Sequence, residues 1–219
     1  MKTNKFTNRN LIWLSGFSGI SAVCLDIFII IFMGFMTPGY EPLSQYISEL
    51  GSRINPYAGV VNMWWSFYSL LMVFFAYGLY LAVKKNRYGW IAPFFIVLDS
   101  VGNGVLSGLF SCDIGCHGAG ISNTLHLVVS AVGSIAATAS PLALYFAVRN
   151  DVRWKRFNKQ LFITGLLIVA SFAVMGYFEF MVIASSRPFV FSGLVQRIQS
   201  SIYYWFIVRV SVQMMRGES

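Results

Sequence analysis

The stretch GLFSCDIGCHGAGISNTLH, residues 108–126, carries two of the chain's three cysteines and both of its histidines. Cys112 and Cys116 stand within bonding reach of each other in one turn of chain. Three chemistries suit this set. A disulfide joins the two sulfurs; a zinc-type site draws on Cys112, Asp113, Cys116, His117 and His126, although their spacing matches no standard pattern; or both cysteines stay free thiols. Haem attachment needs two residues between the cysteines, and CDIGCH has three. His126, beside Asn123 and Thr124, titrates near neutrality and suits general acid–base work. Its plainer role is a hydrogen bond to the backbone of a helix end. Cys24, far from this stretch, reads as a small buried apolar residue.

A second set of reactive groups interrupts long apolar runs. Asp26, Asp99 and Glu179 sit among hydrophobic residues. An ionisable group at the centre of a membrane helix costs about 2.5–3.5 kcal/mol on insertion scales, so it turns toward protein or water. Asp99, Asn103 and Ser107 recur every four residues and form one polar stripe, with Gly102, Gly104 and Gly108 beside it for close helix approach. Gln196, Arg197, Gln199 and Tyr203 begin the last apolar run, and Arg197 is the expected partner of Asp99 or Glu179. The candidate ligand-binding set is Asp26, Glu49, Arg53, Asp99, Asn103, Glu179, Arg187, Arg197 and Tyr203. The candidates for acid–base catalysis are Asp99, Glu179 and His126.

The elements that must position these groups are helices. Only 11% of the 219 residues are charged and 57% are hydrophobic, against about 25% charged in soluble domains. The apolar residues fall in six blocks, at about 11–36, 59–83, 90–110, 125–148, 161–184 and 194–213. Each is long enough to cross a hydrocarbon core of about 30 Å, and a backbone in lipid must satisfy its own hydrogen bonds. The first block is too long for a signal-peptide core and lacks a clear cleavage site. The expectation is an all-α, single-domain, integral membrane bundle of six transmembrane helices.

Charge orients it. Thirteen of the sixteen basic residues flank the chain ends or the second-to-third and fourth-to-fifth connections; only Arg53, Arg187 and Arg197 fall on the other side. Basic loops stay cytoplasmic, so both termini are expected there. The net charge of +8 is thus a topology signal, and nucleic acid is excluded as a partner. Cys112 and Cys116 then face an oxidising compartment, which favours the disulfide over the thiolates a metal would need. Trp64, Trp65, Trp90, Trp154 and Trp205 read mainly as interface anchors.

The first external loop reads TPGYEPLSQYISELGSRINPY. Pro42 suits a first helical turn, Leu43, Tyr46, Ile47 and Leu50 share one face, and Gly51 suits the position after a helix end. A short amphipathic external helix between the first two spans is expected, either holding the loop down or serving as a lid with Glu49 and Arg53 at its mouth. The segments PGYEPLSQYISELGS and GLFSCDIGC, followed by His126, resemble the bacterial membrane-protein family known as domain of unknown function 998. The resemblance runs over most of the chain and implies a six-helix integral membrane protein of a bacterial cytoplasmic membrane. It brings no reaction with it.

Two functions follow as expectations. The first is an outward-facing pocket for a membrane lipid or other amphipathic small molecule, with Arg53, Arg187 and Arg197 at an anionic headgroup. The second is an enzyme doing acid–base chemistry on a lipid or isoprenoid. A structural or assembly subunit is a third. No hydrolase, ATP-binding or zinc-protease motif occurs, and no cofactor or metal is assigned.

Overall fold

The computed structural model of the chain describes residues 3–113, 116, 120–185 and 190–216. It is an all-helical membrane bundle. Six long helices cross it: α1 (Thr3–Met36), α2 (Ala58–Val83), α3 (Ile91–Leu109), α4 (Ile121–Val148), α5 (Asn158–Ser185) and α6 (Ser192–Met215). Each packs on the next in chain order, and α6 returns to α1, so the six close a ring. Phe75, Met72, Leu79, Ile96, Leu144, Phe206 and Ile207 fill the centre and are fully buried. Large apolar side chains also cover the outside, among them Phe35, Met63, Leu70 and Phe180. Helices that are apolar all round are those of a membrane span.

Five of the described helices are long and apolar enough to cross a bilayer. The sixth, α6, has 24 residues and so reaches about 36 Å. It carries Gln196, Arg197, Gln199, Arg209 and Gln213; Gln196, Arg197, Arg209 and Gln213 bond to neighbouring elements.

Two helices depart from regular geometry, each for an identifiable reason. Within α3, Ser100–Leu106 winds as a π-helix. Its wider turns loosen the backbone ladder, and side chains take up the slack. Ser69 Oγ of α2 donates to Ser100 O at 2.6 Å, Ser100 Oγ donates to Ile96 O at 2.6 Å, and Ser107 Oγ donates to Asn103 O. In α4, Pro141 has no N–H to offer Ala137 O. Ser140 Oγ donates to that carbonyl at 2.9 Å, which satisfies it without water.

The external loop differs from the expected amphipathic α-helix over its Pro42–Leu50 face. Only Ile47–Gly51 is helical, as a 3-10 turn. Glu49 accounts for the shortening: its Oε1 accepts from Tyr46 N at 2.9 Å and its Oε2 from Gln45 Nε2 at 3.2 Å, so it caps the turn late. Pro38 and Gly39 instead make a tight turn, closed by Tyr40 N donating to Thr37 O at 3.3 Å, with Gly39 at φ 72°. Gly51 does not act as a left-handed terminator. It lies inside the 3-10 turn, and a Cβ there would strike Asn62 and Trp65 of α2. Close approach is what requires glycine.

Candidate functional site

The polar groups of the membrane region form two separate arrangements, where one shared pocket was expected. The inner one centres on Asp26 of α1 and Asp99 of α3, exposed by only 4% and 6%. Asp26 accepts from Trp64 Nε1 at 2.7 Å on one oxygen and from Tyr204 Oη on the other. Asp99 accepts from Asn103 Nδ2 at 2.8 Å, and Tyr203 of α6 faces it. Tyr68 of α2 stands within electrostatic reach of both acids. The stripe Asp99, Asn103, Ser107 is linked along α3, Asn103 Nδ2 donating to Asp99 and Ser107 Oγ to Asn103 O.

Arg197 does not pair with Asp99. It belongs to the outer arrangement, where its guanidinium donates to Gln45 O and Gly193 O, each at 3.0 Å, and to Tyr40 Oη. The Tyr40 ring lies 5.6 Å below it. Burial pushes the Tyr40 phenol up, and the neighbouring Arg197 charge opposes that shift. Three more bonds strap this loop to the start of α6: Leu194 N to Leu43 O at 2.9 Å, Ser192 Oγ to Ser44 O, and Ile47 N to Gln196 Oε1 at 2.6 Å. Among the described residues all acceptors of Arg197 are neutral, and no carboxylate lies within ion-pair distance of it.

Below Arg197, a groove of about 660 Å³ runs between α5 and α6, lined chiefly by Ile163, Leu167, Leu194, Ile198, Ile202 and Trp205. Its wall is mostly apolar. At the far end Gln160 accepts from Arg209 at 2.8 Å, and Arg209 lies 5.5 Å over the Trp205 ring. A smaller cavity of about 250 Å³ lies within the external loop, between Tyr40, Glu49 and Asn55.

The Cys/His stretch closes the same end of the bundle. Cys112 and Cys116 form a disulfide with Cα atoms 4.9 Å apart. Both are buried, with Ser48 of the 3-10 turn against them. His126 Nδ1 lies 3.1 Å from Ser107 O and 2.9 Å from Phe110 O. Carbonyls only accept, so Nδ1 carries the hydrogen, and His126 satisfies the last turn of α3. Ligand atoms of Cys112, Cys116 and His126 lie within 4.8 Å of one another, but the disulfide withdraws both sulfurs from metal binding. Asp113 is outside that group.

The remaining candidates are scattered. Glu49 is the turn cap described above, and Arg53 is exposed. His117, Arg187 and the Glu179 side chain lie outside the described residues. Cys24 is exposed on the outer face of α1, contrary to the expected burial. Trp64 and Trp65 are not interface anchors: one donates to Asp26 and the other is 8% exposed in the core. The sequence does not single out Tyr68, Ser140 and Tyr204, and it assigns Trp64 to the interface instead of to Asp26. The one available signal was an uncompensated acid at Asp26, which demands donors without saying which.

No match to a curated protein sequence or to a solved structure was found. One family model matches residues 20–213, most of the chain that folds into this helical membrane bundle: the chain belongs to the family described as protein of unknown function (DUF998).

Proposed function

We propose that the protein binds an anionic membrane amphipath, a lipid, in the groove between α5 and α6. The observation that carries this reading is Arg197, a cation at the groove's outer end whose acceptors among the described residues are all neutral. Guanidinium groups bind phosphate and carboxylate through paired, charge-assisted hydrogen bonds. An acyl chain would lie along the apolar wall. Twelve residues separate Arg197 from Arg209, about 18 Å of helix, which accommodates a single chain. The setting we propose is a bacterial cytoplasmic membrane, with both termini cytoplasmic and the strapped loop outside, as the basic residues favour.

The test is lipid analysis by mass spectrometry of protein purified in mild detergent, comparing wild type with Arg197→Gln and Leu167→Trp. The first variant removes the headgroup partner; the second fills the groove without touching the loop. Both should lose a co-purifying anionic lipid that wild type retains. Equal lipid content in all three rejects the groove.

A further inference from the structure

We propose that Asp99, Tyr203 and Ser140 form a site for one small monovalent cation, a proton or an alkali ion, in the core of the bundle. The starting point is a difference between the two buried acids. Both oxygens of Asp26 receive a hydrogen, from Trp64 and from Tyr204. Asp99 receives one of ordinary geometry, from Asn103, and only a marginal contact from Tyr203. Tyr203 Oη makes marginal hydrogen-bonding contacts with Asp99 and Ser140 but completes none of ordinary geometry, although its residue is 8% exposed. A buried unsatisfied hydroxyl is rare in a folded protein and needs a partner of some kind.

The surrounding hydrogens do not supply one. Ser140 spends its hydrogen on Ala137 O, the carbonyl orphaned by Pro141, so it presents lone pairs to Tyr203. The Asn103 amide nitrogen is shared between Asp99 and Ser134, the latter at 3.4 Å. The oxygens of Asp99, Ser140 and Tyr203, from α3, α4 and α6, therefore face one another with one unspent hydrogen among the three, that of Tyr203. An excess of lone pairs around a carboxylate is the donor set for a cation, and hard monovalent ions take oxygen ligands as larger hard cations do.

Every element packed against Asp99 leaves the charge uncompensated. Its own helix offers Asn103; α2 offers Tyr68; α4 offers Ser134 and Ser140; α6 offers Tyr203 and Tyr204. From α1, Asp26 is reached through Tyr68 and Tyr204 and adds a second acid. Among the described residues none of these partners is basic. Breaking a buried ion pair is costly because one charge is left alone, and Asp99 is in that position unless a cation accompanies it. The π-helix begins at the next residue, Ser100. Such segments recur at functional sites, where they re-aim side chains and free carbonyls.

The experiment is thermal unfolding of the purified full chain in detergent, first across pH in choline chloride, then at fixed pH with added sodium or potassium chloride. Cation binding should raise Tm by about 5–10 °C near saturation. A rise on acidification in choline alone assigns the proton; a rise with an alkali chloride at fixed pH assigns that ion. Asp99→Asn should abolish the response, whereas Asp26→Asn should keep it. Tyr203→Phe removes only the orphan hydroxyl; it should fold and need roughly tenfold more cation, one hydrogen-bonding group's share of the affinity. A wild-type Tm indifferent to both pH and salt overturns the site, as does a response unchanged in Tyr203→Phe. Lipid retention in the α5–α6 groove is a separate readout and should survive Tyr203→Phe.

Discussion

Replacing Gly102 with alanine sets two effects of opposite sign against each other. In a helix interior, alanine is favoured over glycine by about 1 kcal/mol, so propensity alone predicts stabilisation. The packing argues otherwise. A Cβ on Gly102 would lie 2.7 Å from Val129 O and 3.2 Å from the Cα of Gly133, both backbone atoms of α4. No rotamer relieves that clash; α3 and α4 must separate. Overpacking of this kind costs about 1–3 kcal/mol, and a contact with backbone belongs at the upper end. The net loss is about 2 kcal/mol, or roughly 4–8 °C in Tm for a chain of this length. Gly176 on α5 is the comparison, because among the described residues a Cβ there meets nothing within 4 Å. Gly176→Ala should raise Tm by about 2–4 °C through propensity alone. Circular dichroism melts of the two purified variants in detergent read the signs directly. A Gly102→Ala protein as stable as wild type refutes the tight α3–α4 seam, and with it the placement of the π segment that presents Asp99.

Other outcomes follow from the same geometry. Reporter fusions after Lys85 and after Lys159 should register cytoplasm, and one near Ser192 the opposite side; an external signal at either basic connection overturns the topology. Non-reduced mass mapping should recover Cys112 linked to Cys116 and Cys24 free to alkylate, while loss of so short a ring through Cys112→Ala should cost stability only near the low end of about 0–5 kcal/mol. Asp151 caps the 3-10 turn Val152–Trp154 by accepting from Arg153 N at 3.0 Å, so Asp151→Ala should cost about 1 kcal/mol. Hydrogen bonding from the Arg153 side chain holds the Asp151 carboxyl below its ordinary value of 3.8. A lowered carboxyl stabilises the fold above that value and stops doing so as pH falls through the lowered one, so the wild-type advantage over Asp151→Ala should shrink only on strong acidification.

The six spans and the placement of charge were legible in the sequence because lipid leaves the backbone no alternative to helix and because basic residues cluster in alternate connections. The stripe of Asp99, Asn103 and Ser107 was legible for the same reason, since helical periodicity alone puts those residues on one face. Partner choice was not. Arg197 was matched by charge to Asp99 or Glu179, yet the folded loop brings Tyr40 and Gln45 to it in place of Asp99. Asp26 found Trp64 and Tyr204, which lie 38 and 178 residues away, through the closing of α6 on α1. The π-helix also lay outside local reach, because it depends on Ser69 of another helix donating to Ser100 O and on glycines pressed against α2 and α4. Periodicity is a property of one segment; a hydrogen bond between helices depends on which faces meet, and only the closed ring decides that.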